Sequence, residues 1–434
     1  MRNDDFPKAR ILVLGWEGGG NVPPILAVIR ALAARGHDLR FIGDDCLLAE
    51  ARGAGARAQA WRRAPNRPDR SASSCFVREW EQPDALAGVR AWARTIFLGP
   101  AELYAMDVVD AAREEPTDLV IGADLLFGGM IAAEALGLPL ALLSPNVSIV
   151  PQPGHPPFGP GFTPATNEAE RQRDREAGAM VEQMFDGFLP QINAARARFG
   201  LSPLPRTLDQ FRADRLLLAT SGAFDFPVSR LPDHVRYVGP ILEQPSWVSR
   251  STPVAPGDRP LALVSFSTTY QKQEAALEAT LDALATLSMR GIVTLGKALA
   301  GHEMTAPPNV EIRDGASHDD ILPHAACVVT HGGHGTTLRA LAAGVPVLVL
   351  PMGRDQNDNA ARVDYHRLGL RLPPTASAEE IARALRRLVE EPHFVRNAKR
   401  FAQTIAAEGG GAERCADEIE GLIRAPFLRH AVGM

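Results

Sequence analysis

Apolar residues along this chain fall into two rhythms, short continuous runs and longer stretches spaced by three and four, and the two take turns. Ile11 to Leu14 is a run of the first kind. Ile25, Val28, Ile29 and Leu32 then recur at helical spacing, with Pro23-Pro24 at the start and Gly36 past the end. Leu39 to Ile42 returns as a strand. The same unit reappears as Asp118-Leu-Val-Ile-Gly, a helix from about Gly128, and Leu138 to Leu143, with further strands at Leu216 to Thr220 and Val235 to Val238. Alternation of this kind predicts a parallel sheet covered on both faces.

The rhythm breaks between Gly239 and Pro260, where proline and serine accumulate, and then resumes. Leu261 to Ser265, Ile292 to Leu295, Cys327 to Thr330 and Val345 to Leu350 read as strands. Glu274 to Met289, Thr336 to Ala343 and stretches near 377–391 and 411–424 read as helices. The prediction is an α/β protein of two doubly wound, Rossmann-like domains facing across a cleft. The expected bounds are 1–240, a linker at 241–259, and 260–434, with the last helix able to pack back on the first domain. A length of 434 residues agrees with two cores.

Two stretches resist the alternation. Residues 61–104 hold Trp61, Trp80, Trp92, Phe76, Phe97 and Tyr104, and residues 151–164 are rich in proline and glycine around His155, Phe158 and Phe162. Long irregular segments inside compact domains are often binding loops, so part of this material is expected to form an apolar acceptor site. Packing alone is the competing reading.

Composition narrows the partners. A net charge of −5 gives no electrostatic reason to expect nucleic acid or an anionic membrane. Leu119 to Leu143 is interrupted by Asp124, Glu134 and Pro139, which argues against a membrane span. The N-terminus has no signal-peptide pattern. Cys46, Cys75, Cys327 and Cys415 make no CxxC pair and read as small buried residues of a reducing, cytoplasmic compartment.

The chemistry concentrates in Cys327-Val-Val-Thr-His331-Gly-Gly333-His334-Gly335-Thr336-Thr337-Leu-Arg339, then Gly344-Val-Pro, then Asp355-Gln356-Asn-Asp-Asn359. A strand here runs into a glycine-rich turn that opens a helix, whose first N–H groups lack partners and carry the positive dipole end. Glycines let a diphosphate approach that backbone, and the Thr336 hydroxyl and His331 ring can add donors. Asp355 and Gln356 follow the next strand at the same sheet edge, where ligands of open α/β sheets bind. A carboxylate beside an amide suits a polyhydroxylated sugar.

Other motif readings fail. Gly291 to Gly296-Lys297-Ala298 nearly matches a phosphate-binding P-loop, but Ala298 replaces the hydroxyl that would ligate Mg²⁺. His331 and His334 lack a third zinc ligand in sequence. No Asp-x-Asp occurs, which argues against metal-dependent sugar transfer. No cofactor is expected.

At His-Gly-Gly-x-Gly-Thr, Gly-Val-Pro and Asp-Gln-x-x-Asn the chain resembles the family 1 glycosyltransferases of the GT-B fold, which include antibiotic, macrolide and UDP-sugar transferases. The likeness is close over His318 to Asn359 and loose elsewhere. It implies an inverting transferase acting on a nucleotide-diphosphate sugar, UDP- or dTDP-linked, and a small acceptor. It also implies that His331, Gly335 and Thr336 hold the diphosphate, and Asp355 and Gln356 the sugar. His318 falls where the family has a glutamine beside the base, Thr268 is a weaker diphosphate candidate, and Asn359 reads as a helix cap.

Two positions depart. Asn21 stands where the family has a basic histidine, which an aspartate matching Asp124 orients. An amide cannot take a proton. Three explanations compete: a nitrogen or pre-ionised acceptor, a different base among Glu17, Asp124 and His155, or loss of catalysis. Arg339 replaces a glutamate that accepts from ribose hydroxyls, so either a deoxyribose donor is used or Arg339 simply faces solvent. A nucleotide-sugar epimerase and a non-catalytic sugar-nucleotide-binding helper remain rivals. The sequence leaves the sugar, the acceptor and the oligomeric state open.

Overall fold

A computed structural model describes residues 8–83, 85–243, 253–266, 269–296, 299 and 304–431. The alternating pattern folds into two all-parallel sheets. The first has seven strands in the order β3-β2-β1-β4-β5-β6-β7. These are β1 (Arg10–Leu14), β2 (Asp38–Gly43), β3 (Arg57–Ala60), β4 (Leu119–Ala123), β5 (Leu140–Ser144), β6 (Arg215–Leu218) and β7 (Val235–Tyr237). The second has six, in the order β10-β9-β8-β11-β12-β13. Its strands are β8 (Leu261–Ser265), β9 (Arg290–Thr294), β10 (Val310–Arg313), β11 (Ala325–Thr330), β12 (Val347–Val349) and β13 (Gly369–Arg371).

Continuous apolar runs form the central strands because both sheet faces are covered. Successive side chains of β1 go to opposite cores: Leu12 and Leu14 to one, Ile11 and Val13 to the other. Strand β8 divides Ala262 and Val264 from Leu261 and Leu263 in the same way. The last helix, Gly411–Ala431, returns to the first domain, where Cys415, Ile419, Leu422 and Ile423 join the core of Ile11 and Val13. Arg35 fastens it through Glu413 at 2.6 Å and Asp417 at 2.7 Å.

In each sheet the strand order reverses once, between β1 and β4 and between β8 and β11. Ligands bind outside the carboxyl ends of strands at such points, and both reversals open on the same cleft. The loops after β1, β4, β11 and β12 carry the candidate residues to it.

Several elements differ from the sequence reading. The helix after β11 is His334–Ala342, so it starts two residues before Thr336 and Gly335 belongs to its first turn and not to the loop before it. Residues 61–104 are more regular than expected: Trp61 is core, its ring 4.8 Å from that of Tyr104, and helix Ala85–Trp92 runs into a π-helical turn at Ala93–Phe97. Helix Glu168–Asp186 escaped notice because, of its residues, only Met184 and Phe185 are buried. It is started by Asn167, whose side chain accepts from the Glu170 N–H at 3.0 Å. Short edge strands β3, β10 and β13 were also illegible.

Among the described residues no helix is long and apolar enough to cross a membrane. The four cysteines are unpaired. Residues 244–252 of the expected linker and Thr268 lie outside the described residues, as do Lys297 and Ala298 of the near P-loop.

Candidate functional site

The glycine turn is built by close approach. Gly332 has φ +91°, and a Cβ there would sit 2.5 Å from Val349 Cγ1, so the turn packs directly on β12. A Cβ on Gly333 would lie 2.5 Å from His331 Nε2, which shows the imidazole lying over that residue. At Gly335 nothing stands within 4 Å of the same position. The first intrahelical bond runs from the Thr337 N–H to the Gly333 carbonyl at 3.0 Å. The amides of His334, Gly335 and Thr336 therefore stand at the open helix start, where an anion is favoured.

His331 is buried, and burial together with Arg354 pushes its imidazole down to about 3. It is neutral at ordinary pH and can act as a hydrogen-bond donor, not as a charge. His318, whose Nε2 lies 3.3 Å from Thr294 Oγ1, is likewise pushed down to about 4 by burial and Arg339.

Asn359 is not a helix cap. Asp355 holds the N-cap position of helix Gln356–Tyr365, and Asn359 lies inside its first turn. Its Nδ2 donates to the Gly332 carbonyl at 3.0 Å and to Asp355 Oδ2 at 2.9 Å. With both amide hydrogens used, Oδ1 must accept from His334 Nδ1 at 2.9 Å, which fixes that ring's tautomer. One amide thus ties the glycine turn to the loop after β12. Burial drives Asp355 above the usual carboxylate range and His334 below the usual histidine range. Gln356 is held by its Oε1, which accepts from the Met352 and Gly353 amides at 2.7 and 3.2 Å. Its Nε2 donates to Gln271 Oε1 at 2.9 Å.

Arg339 does not face solvent. It donates to Asp319 at 2.7 Å and to the carbonyls of Leu242 and Glu243 at 2.6 and 2.8 Å, bracing the chain where it leaves the first domain.

The base candidates separate. Glu17 is engaged by Arg70 at 2.5 Å and by the Gly19 N–H at 2.8 Å, and it faces a different, minute cavity. His155 bonds the Phe226 carbonyl at 2.8 Å and stands beside Asp225, away from the cleft. The Asn21 amide is consumed by its own loop, accepting from the Gly18 N–H at 3.0 Å and donating to the Trp16 carbonyl at 2.9 Å. Asp124 alone of the three proposed bases lines the cleft. It accepts from Ser144 Oγ at 2.6 Å, and burial pushes it up to about 7.

All these surfaces meet in one cavity of about 520 Å³. Asn21, Asp124, His318, His331, Gly333, Gly335, Thr336, Arg339, Asp355 and Gln356 line it. Opposite the glycine turn stands an aromatic wall in which Trp16 lies 5.7 Å from Trp92 and 5.2 Å from Phe97. Trp92 and Phe97 belong to the 61–104 segment, and Phe158 adds the 151–164 segment. Among the described residues no cluster of three or more His, Cys, Asp or Glu is arranged to hold a metal. Sequence reasoning missed Arg354, which lines the cavity, and Glu79, which binds it. Arg354 directly precedes the Asp-Gln pair and was within reach, whereas nothing in the pattern marks Glu79.

The C-terminal-domain model of the Erythromycin biosynthesis protein CIII-like family matches residues 278–421. The chain is 28% identical to the 4'-demethylrebeccamycin synthase of Lentzea aerocolonigenes, over 96% of this chain and 100% of that protein. It is 30% identical to the zeaxanthin glucosyltransferase of Pseudescherichia vulneris, over 70% of this chain and 73% of that protein. Among solved structures, the glycotransferase of kitacinnamycin superposes with a TM-score of 0.73 at 22% identity, covering 96% of this chain and 99% of that one.

Proposed function

The chain belongs to the family 1 glycosyltransferases of the GT-B fold, the group that includes the antibiotic and macrolide transferases, and from that premise we propose how its cleft works. It is a nucleotide-sugar glycosyltransferase. In our reading it transfers the sugar with inversion and without a metal ion, to a small aromatic or apolar acceptor lying against Trp16, Trp92 and Phe97. The diphosphate docks on the amides of Gly335 and Thr336 and on His331, and the sugar meets Asp355 and Gln356. Partial charges at the helix start offset the charge that develops on the leaving group.

The observation that carries this reading is Asp124, a cleft-lining carboxylate pushed up to about 7. A base with that affinity can take a proton from an acidic group at neutral pH. As a general base it takes the proton while the acceptor oxygen or nitrogen bonds to the sugar, and the aromatic wall selects a planar aromatic acceptor such as a phenol or an indole. Asn21 has a different task, fixing the loop of Trp16 to Gly18.

The donor is UDP- or dTDP-linked, and Arg339 favours the second because it offers no acceptor to a ribose hydroxyl. The test is incubation with UDP-glucose or dTDP-glucose, a panel of phenols, indoles and aliphatic alcohols, and excess EDTA. Mass spectrometry and NMR should show β-linked products chiefly on the phenol and indole members. Preferential transfer to aliphatic alcohols, or none at all in EDTA, would overturn the reading.

A further inference from the structure

One turn of the first domain reaches across the cleft. Glu79, in the 3-10 turn Glu79–Glu81, receives four hydrogen bonds on its carboxylate. Arg354 donates twice, at 3.1 Å from Nε and 2.5 Å from its terminal nitrogen. Gln271 Nε2 donates at 3.1 Å and Trp92 Nε1 at 3.3 Å. Gln271 in turn accepts from Gln356 at 2.9 Å. Beside this, the Trp80 ring meets Tyr270 edge-on at 4.8 Å. The pair is shielded, with side-chain exposures of 27% for Arg354 and 14% for Glu79. Arg354 is held at φ +54°, a left-handed conformation that a branched-chain-free but non-glycine residue adopts only when its surroundings demand it.

The chain of bonds therefore runs from Trp92, in the aromatic wall, through Glu79 to Arg354 and, by Gln271, to Gln356. Burial alone would push the Glu79 carboxyl up, but Arg354 and the other donors bring it below its ordinary value, so it stays ionised and keeps all four contacts. Shielded charge-assisted bonds of this kind are stiff and directional.

We propose that Glu79 is a positioning residue that couples the two substrates, holding the acceptor wall and the sugar-binding loop as one hydrogen-bonded unit so that occupancy of either side tightens the other. The proposal rests on the assignment of the donor to the C-terminal side and the acceptor to the N-terminal side. Coupling of binding sites is reciprocal, and ~5–10-fold is a modest value for it.

Calorimetry on the full chain tests this with dTDP-glucose, bare dTDP, and alizarin dimethyl ether, a planar acceptor mimic with no hydroxyl to receive the sugar. In the wild type, saturating alizarin dimethyl ether should tighten dTDP-glucose binding by ~5–10-fold. In Glu79→Gln, which keeps the side-chain shape but cannot accept the Arg354 fork twice, that gain should fall below ~2-fold. Trp92→Phe, which retains a ring and removes the indole N–H, should lose part of the gain. Bare dTDP, which lacks the sugar, should bind wild type and Glu79→Gln equally. A purely structural clamp would instead weaken both ligands in parallel and leave the linkage intact, which overturns the proposal, as does absence of linkage in the wild type. Failure of both dTDP-glucose and UDP-glucose to bind the wild type would refute the donor assignment itself.

Discussion

The two sides of the cleft are made differently. On the proposed donor side one contiguous stretch supplies nearly everything: β11, the glycine turn, the helix start and the loop after β12, stitched by Asn359. On the proposed acceptor side the wall comes from pieces far apart in sequence, Trp16 after β1, Trp92 and Phe97 near the π-turn, and Asp124 after β4. A diphosphate asks for main-chain amides, which a short motif can present at any time. An acceptor asks for shape and for one suitably tuned proton-accepting group, which depend on what packs around them.

The sharpest way to break this comparison is at Asp124. Replacement by asparagine keeps the shape and removes the base, and transfer should fall ~10²–10⁴-fold. The wild-type rate should climb as pH rises through about 7, and the variant's profile should be flat there. Stability moves the opposite way. The folded carboxyl sits at about 7 against an ordinary 3.8, so the native state holds a proton that the unfolded chain has released. Its favourable contribution is full below 3.8 and is lost as pH rises through about 7. Asp124→Asn should therefore melt above the wild type at pH 8, with little difference at pH 4. A variant that retains wild-type turnover would leave the acceptor side without its defining group.

A smaller effect sharpens the donor side. Gly335→Ala places a methyl where nothing lies within 4 Å, so the fold should accept it, and alanine is the better helix former by ~0.5–1 kcal/mol. The same methyl would shadow the amides at the helix start. Nucleotide-sugar affinity should drop ~10²-fold, the scale of one lost oxyanion-type donor, with an unchanged or higher melting temperature. His331→Ala should cost a similar factor. If Gly335→Ala binds donor normally by calorimetry, the diphosphate does not use that helix start.

This division also governs what could be read from the sequence. The doubly wound architecture was legible because β1, β4, β8 and β11 are apolar runs covered on both faces, and the glycine turn because glycines at 332 and 333 have a steric reason to be glycine. Helix Glu168–Asp186 was not, because a helix that buries so little leaves no periodicity. The aromatic wall was foreseen only as a region: Trp61 and Trp92 look alike in sequence, yet one is core and the other faces the cavity. Asn359 was misread as a cap because its bonds go to Gly332 and His334, partners that only the fold brings near. Glu79 carried no signal, since its partners Gln271 and Arg354 lie in the other domain.

The smallest expected effect concerns the nucleotide, and it asks whether the donor side is as self-contained as its motif suggests. Arg339 stands in the first domain's exit path, with its nitrogens committed to Asp319 and to the carbonyls of Leu242 and Glu243. A guanidinium has no lone pair to offer, so a ribose 2'-hydroxyl gains nothing from it. A neutral hydrogen bond is worth ~0.5–1.5 kcal/mol net, so its absence removes at most about tenfold of preference. In competition binding, dTDP should hold at least as tightly as UDP. A UDP advantage beyond about tenfold would require a ribose acceptor from outside the motif, and the donor site would then be an assembly of distant parts, as the acceptor site is.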